Sequence, residues 1–166
     1  MVGLKTQNDL EIALQQNMWL GEILERFEEI VLPDCWLVAG AIAQTIWNLR
    51  CEQPAVFGLK DVDLIYFDEQ DLSFEAEASH ERRVRNLFQH LPIKLDVKNE
   101  ARVHVWYEDR FGYAIKPYSS SADAIAIFNQ LQPRQGYVRY TANWSAAHPL
   151  DLTICSVSWS DRTNGR

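Results

Sequence analysis

The chain has 166 residues, 47% of them hydrophobic, which is enough material for one domain with a single core. Its formal net charge of −7 and pI near 5.1 argue against a protein whose main task is to grip phosphate backbones, because such proteins usually present a basic face. Nucleic acid is therefore not an indicated partner. A nucleotide is compatible with this charge, since a divalent metal held by acidic ligands can neutralise its phosphates.

The cysteines and the apolar runs predict the cellular location. Cys35, Cys51 and Cys155 show no metal-like spacing and are typical of a reducing compartment. The first residues lack the apolar core of a signal peptide, and no apolar run approaches the roughly 20 residues of a membrane helix. The sequence thus predicts a cytoplasmic protein without a membrane segment.

The first third of the chain predicts helices around one short strand. Asp9 and Asn17 are each placed to cap a helix, and the apolar side of the second helix continues to Val31, before Pro33. Residues 35–41 form a short apolar run that ends in a small-residue turn. A helix with one apolar face is expected after this turn.

The middle of the chain alternates predicted strands and helices. The pattern of residues 61–67 predicts a strand whose second half is buried. Residues 75–91 are predicted to form a charged surface helix. Residues 93–98 and 103–107 alternate and predict two further strands, and a helix is expected to start at Ser121. The predicted fold class is α/β of the α+β type: a mixed sheet flanked by helices, with an N-terminal helical segment.

Three aspartates on two predicted strands are the main candidates for chemistry. Asp61 and Asp63 project from the same face of their strand because the side-chain period of a strand is two. Asp96 joins them if its strand pairs beside the first. Three converging carboxylates are the arrangement that two-metal phosphoryl or nucleotidyl transfer requires. An Asp-x-Asp at a strand start is, however, often only a solvated strand end.

The turn at Gly40 and Ala41 strengthens the metal-site interpretation. A small-residue turn that opens a helix offers backbone N–H groups to a phosphate. The alternative explanation for the same residues is tight helix packing.

Three segments of the chain resemble one bacterial family of nucleotidyltransferase-like proteins in the polymerase-β-like superfamily. They are Trp36–Trp47, Lys60–Asp68 and Val97–Tyr107. The resemblance implies transfer of a nucleotidyl group from an NTP to an unknown acceptor, with Mg²⁺ or Mn²⁺ as cofactor. The catalytic and metal-binding residues it implies are Asp61, Asp63 and Asp96, and the nucleotide-binding residues are Gly40, Ala41, Lys60, Asn99 and Arg102. The turn departs from the superfamily, which usually has Gly-Ser or Gly-Gly at this point.

Arg102 and His104, which follow Asp96 in the sequence, each allow more than one interpretation. Arg102 and His104 have the spacing of residues on one face of a strand and could reach a nucleotide or acceptor. Arg102 could equally pair with an acidic neighbour for structural reasons. His104 reads more simply as a hydrogen-bonded strand residue than as a base.

The sequence predicts a boundary at Phe128, with the nucleotidyltransferase-like domain in residues 1–128 and an atypical tail in residues 129–166. Synonymous codons for Leu150–Asn164, read from their third base, encode GLDDLFGLVVRPN, which resembles the C-terminal motif of the same family. A similar shift of residues 130–138 permits TATATGVR. We therefore hypothesise a frameshift near Asn129, which would leave a tail that packs poorly and a sheet edge exposed. The alternative is a merely divergent C-terminal segment.

Two other functional classes stay open from the sequence. One is a catalytically inactive module that keeps the fold for nucleotide binding or protein contact. The other is a hydrolase that uses the same carboxylates.

Overall fold

The computed structural model describes residues 12–38, 40–131, 142–145 and 148–151, with side chains up to residue 128. Within these residues, five strands form one mixed sheet in the order β3-β2-β1-β4-β5. The strands are β1 (Trp36–Val38), β2 (Asp61–Tyr66), β3 (Lys94–Asn99), β4 (Ala142–Ser145) and β5 (His148–Asp151). β2 and β3 are parallel, whereas β1 is antiparallel to both β2 and β4.

In the described part of the chain, five helices and two short 3₁₀ segments accompany the sheet, and residues 12–15 are also helical. The helices are α1 (Met18–Glu25), α2 (Gly40–Arg50), α3 (Phe74–Leu87), α4 (Val103–Phe111) and α5 (Ser121–Leu131). The predicted mixed sheet flanked by helices is confirmed. The predicted cap at Asp9 lies outside the described residues.

The helix after Asn17 is correctly predicted at its start but is shorter than expected. The Asn17 side chain accepts hydrogen bonds from the Trp19 and Leu20 N–H groups and so caps α1. The helix ends at Glu25, and a 3₁₀ segment, Phe27–Ile30, follows it. The apolar residues of this 3₁₀ segment are still buried in the core. The apolar periodicity of the sequence therefore extends past the end of the α-helix.

The main core lies on one face of the sheet. Alternate residues of β2 and β3 point into it, and α1, α2 and α3 cover it with apolar side chains. The sheet residues of this core are Leu37, Val62, Leu64, Tyr66, Leu95 and Val97. Asp61, Asp63 and Asp96 therefore point from the opposite face of the same strands.

The segment predicted as a strand at residues 103–107 is a helix, so that prediction is wrong. The Asn99 side chain accepts a hydrogen bond from the Ala101 N–H and starts a 3₁₀ turn, Glu100–Arg102, which leads directly into α4. Gly112, with φ of 79°, ends α4 in a left-handed conformation that suits glycine. Local capping thus overrides the apparent alternation of Val103, Val105 and Tyr107.

α5 is tied to the start of β1. The Ser121 N–H donates to Asp34 Oδ2, and the Ser121 hydroxyl donates to the Asp34 carbonyl oxygen, both at 2.7 Å. Tyr118, Ala124 and Val103 then form a second, smaller apolar cluster between α4 and α5. This cluster stands beside the main core and not within it.

The C-terminal strands β4 and β5 lie at one end of the sheet. In β4, Ala142 and Asn143 pair with Leu37 and Trp36 of β1, so this edge of β1 is covered by backbone pairing. Among the described residues, no helix is long and apolar enough to cross a membrane.

Candidate active site

The three predicted aspartates lie on one face of two paired strands. In the parallel register Asp63 stands opposite Asp96, and Asp61 stands opposite Lys94. Neighbouring strands are about 4.8 Å apart, so the side chains of paired residues are close neighbours. β2 and β3 are therefore paired, as the prediction for Asp96 required, and Asp61, Asp63 and Asp96 share one face of the sheet.

Asp63 is the most buried of the three carboxylates and lies at the centre of the group. Burial raises the pKa of Asp63, and the negative charges of Asp61 and Asp96 raise it further. Lys94 and Lys98 oppose this effect only in part. The raised pKa of Asp63 thus results from burial first and from its carboxylate neighbours second.

Asp96 differs from Asp63 because it is already paired. Its Oδ2 accepts a hydrogen bond from Lys94 Nζ at 2.8 Å, and its Oδ1 lies 3.3 Å from Arg85 Nη2. Burial alone would raise the pKa of Asp96, but the hydrogen bond and charge of Lys94, together with Lys98 and Arg85, lower it overall. Within the described residues, no three carboxylate, histidine or cysteine side chains are arranged to hold a metal ion.

The start of α2 borders the carboxylates. Val38, at the end of β1, pairs with Asp63, and α2 begins two residues later at Gly40. A methyl group added to Gly40 would lie 3.6 Å from Asp63 Oδ2. The N–H end of a helix and a carboxylate thus border the same space, an arrangement suited to binding a metal-bound phosphate.

Ala41 and Lys60 flank this space in different ways. The Ala41 side chain is buried in the main core, so only its backbone could meet a phosphate. Lys60 is exposed and directly precedes Asp61, while its carbonyl oxygen accepts a hydrogen bond from the Lys94 N–H. Lys60 therefore lies at the same end of β2 as the aspartates.

Asn99 is directed away from the carboxylates. It is buried on the core face of β3, where its side chain accepts from the Asp68 N–H and donates to the Asp68 carbonyl oxygen. The same amide oxygen accepts from Ala101. These contacts connect the ends of β2 and β3 and occupy the amide in structural hydrogen bonds.

Arg102 is likewise engaged by structural partners. Its Nη1 donates to Glu77 Oε1 at 2.8 Å, its Nε donates to the Leu72 carbonyl oxygen, and its guanidinium lies over the Phe74 ring. Arg102 and Glu77 are both buried. The structural alternative considered for Arg102 matches these contacts, and the expected shared strand face with His104 is wrong because α4 is a helix.

Sequence reasoning overlooked Lys94 and Arg85. Both contact Asp96, and neither belongs to the motif that the resemblance singled out. For Lys94 the signal was present, because a residue two positions before Asp96 on a strand shares its face. Arg85 gives no such signal, since only the packing of α3 against β3 brings it close.

The comparisons with known proteins agree with this geometry. A family model described as "Nucleotidyltransferase" matches residues 25–147 and so continues beyond Phe128. No curated protein matches the chain. A solved structure titled "The NMR structure of the protein reveals a CCA-adding enzyme head domain" is similar with a TM-score of 0.67 and 23% identity. The match covers 93% of this chain and 74% of that one, and at this identity it shows the fold alone. Since the family model spans most of the chain, the protein belongs to this nucleotidyltransferase family.

Proposed function

We propose that the protein is a metal-dependent nucleotidyltransferase that transfers a nucleotidyl group from an NTP to an acceptor hydroxyl or phosphate. The observation that carries this proposal is the pairing of Asp63 with Asp96 beside Gly40 at the start of α2. Asp61 completes a group of carboxylates on one sheet face. Family membership supports the reaction class, and the carboxylates support its dependence on metal.

The charge of the site fits a hard divalent cation. Burial raises the pKa of Asp63, and the neighbouring charges of Asp61 and Asp96 raise it further, as expected where carboxylates share one sheet face. Carboxylate oxygens are the ligands that Mg²⁺ and Mn²⁺ prefer. Asp61, Asp63 and Asp96 would hold the metal, which when bound lowers the pKa of the attacking group and stabilises charge on the leaving pyrophosphate.

The protein groups around the carboxylates would bind and orient the nucleotide. The backbone N–H groups at the start of α2 are the candidate phosphate contacts, since Gly40 lies in direct contact with the Asp63 carboxylate, where a methyl group would be 3.6 Å from Oδ2. Lys60 is exposed at the same end of β2 and is a candidate for a further phosphate contact. We leave Asn99 and Arg102 out of this proposed site because their polar groups already have protein partners.

A calorimetric titration tests the proposal. ATP, CTP, GTP and UTP are titrated with and without Mg²⁺ into the wild type, Asp63→Asn and the control Asp109→Asn, which changes an exposed carboxylate in the last turn of α4. We expect Mg²⁺-dependent binding of at least one nucleotide, weakened by about tenfold or more in Asp63→Asn and unchanged in Asp109→Asn. Pyrophosphate release should follow the same pattern.

The same titration identifies the alternative function. Binding that needs no metal and is unaffected by Asp63→Asn would contradict the catalytic proposal. It would favour the inactive nucleotide-binding module. The absence of a hydroxyl at Ala41 and the existing ion pairs of Asp96 are the features that keep this alternative relevant.

A further inference from the structure

Lys94 places an ammonium group directly among the proposed metal ligands. The register sets Lys94 opposite Asp61, two residues before Asp96 on the same face of β3. Its Nζ lies 2.8 Å from Asp96 Oδ2. The ammonium therefore neutralises a carboxylate that the proposed metal site would also use.

Arg85, the other cation on Asp96, is anchored by further contacts. Its Nε donates to the Leu95 carbonyl oxygen at 2.7 Å, and its Nη2 forms an ion pair with Glu81 on the same helix. Arg85 would keep both partners if Asp96 turned away. Its position is therefore fixed independently of the carboxylate.

Lys94 has no comparable anchor. Among the described side chains, Asp96 is its only ion-pair partner, and 56% of the Lys94 side chain is exposed. An exposed lysine on a flexible stem exchanges partners at small cost. Lys94 can therefore leave Asp96 while Arg85 stays in place.

Charge balance indicates where the released ammonium goes. A divalent cation that binds Asp96 repels the ammonium from that carboxylate. A nucleotide polyphosphate brings several negative charges to the same face of the sheet, where they attract a mobile cation. The register places Lys94 opposite Asp61, on the sheet face that the polyphosphate would approach.

We propose that Lys94 is an exchangeable counter-ion: it pairs with Asp96 in the metal-free protein and moves to the nucleotide polyphosphate when a divalent cation takes Asp96. This inference rests on the proposed function. It assigns to Lys94 a nucleotide-binding role that depends on prior metal binding.

Two binding measurements on the full chain test the exchange. Mn²⁺ binding is followed by electron paramagnetic resonance without nucleotide, and ATP binding is followed by calorimetry at saturating Mn²⁺. In Lys94→Met we expect Mn²⁺ to bind about fivefold more tightly and ATP about fivefold more weakly, the upper range for an exposed ion pair. Lys94→Gln should behave in the same way and replaces Lys94→Met if that variant does not fold.

Two control variants separate the local role from net charge and from packing. Lys94→Arg keeps the cation and should stay within about twofold of the wild type in both measurements. Lys116→Met removes one positive charge in the loop after α4 and should change neither affinity.

The contrary outcomes have different meanings. If Mn²⁺ binds the wild type, is lost in Asp63→Asn and binds no more tightly to Lys94→Met, the exchange is wrong and the metal site stands. Tighter Mn²⁺ binding with unchanged ATP affinity overturns the transfer of Lys94 to the polyphosphate. If neither the wild type nor the neutral Lys94 variants bind Mn²⁺, both this inference and the proposed metal dependence fail.

Discussion

Gly40 lies against the carboxylate of Asp63, close enough that a methyl group on Gly40 would be 3.6 Å from Oδ2. The contact joins the first residue of α2 to the middle of the carboxylate group on β2 and β3. Glycine is not needed here for backbone strain. A methyl group at this position would instead contact the Asp63 carboxylate.

Gly40→Ala should therefore impair binding more than folding. A contact of 3.6 Å is ordinary van der Waals distance, so we expect the free energy of unfolding to change by no more than about 1 kcal/mol. The added methyl group occupies the proposed phosphate space and should weaken Mg²⁺-dependent ATP binding several-fold. Gly21→Ala in α1 is the matched control, where the nearest atom would be 3.9 Å away. Equal ATP affinity in the two variants would contradict this role of Gly40.

Arg102→Met should destabilise the protein without a specific effect on nucleotide binding. The substitution leaves the buried Glu77 without its 2.8 Å partner, which typically costs about 3–5 kcal/mol. The double variant Glu77→Gln/Arg102→Met should recover part of this loss, because no uncompensated charge stays buried. Chemical denaturation measures both values. A stable Arg102→Met protein that fails only in nucleotide binding would restore Arg102 as a ligand residue.

Glu100 should make stability depend on pH. The residue is 4% exposed, and burial, followed by the charge of Glu77, raises the pKa of its carboxyl group to about 7 from the ordinary value of 4.5. Between pH 4.5 and 7 the unfolded chain loses this proton while the folded chain keeps it, so the free energy of unfolding falls as pH rises. Above pH 7 the loss levels off at about 3 kcal/mol.

Glu100→Gln removes this titration and provides the measurement. Denaturation at pH 4.5 and pH 8 should show a variant that gains stability relative to the wild type as the pH increases. Glu108→Gln, an exposed position on α4, should follow the wild type at both pH values. A constant difference between Glu100→Gln and the wild type across this range would rule out a buried protonated Glu100.

The frameshift hypothesis for residues 129–166 makes a genetic and a physical prediction. The gene should contain a shift near Asn129, and a chain with the restored frame should have a higher midpoint of thermal unfolding than the present one. The second expectation follows because a tail in the wrong frame was never selected to pack. A gene that encodes residues 129–166 in the frame of intact relatives contradicts the hypothesis, and the pairing of β4 with β1 would then belong to the native fold.

The elements that could be predicted are those whose local residue pattern indicates burial or helix capping. The alternation in β2 and β3 fixed which residues face the core, and with it the shared face of Asp61, Asp63 and Asp96. The Asn17 cap was equally readable. The strand prediction at Val103–Tyr107 was wrong because a turn begun by Asn99, several residues earlier, decides the conformation.

The partners of the site residues could be predicted less well than their positions. Asn99 and Arg102 stand next to the aspartate motif in sequence, but their side chains are committed to Asp68 and Glu77, which lie more than twenty positions away along the chain. The approach of Arg85 to Asp96 depends in the same way on how α3 packs. Such pairings are tertiary, so local patterns do not contain them.

The position of β3 at the end of the sheet gives its charged residues a second consequence. An outer strand offers unpaired backbone groups on which another chain can add and begin aggregation. Lys94 and Lys98 place positive charge along this strand, and the Arg85 guanidinium takes the Leu95 carbonyl oxygen. The cations that surround the proposed active site thus also discourage intermolecular strand addition. Neutralising them should cause the protein to self-associate at lower protein concentrations.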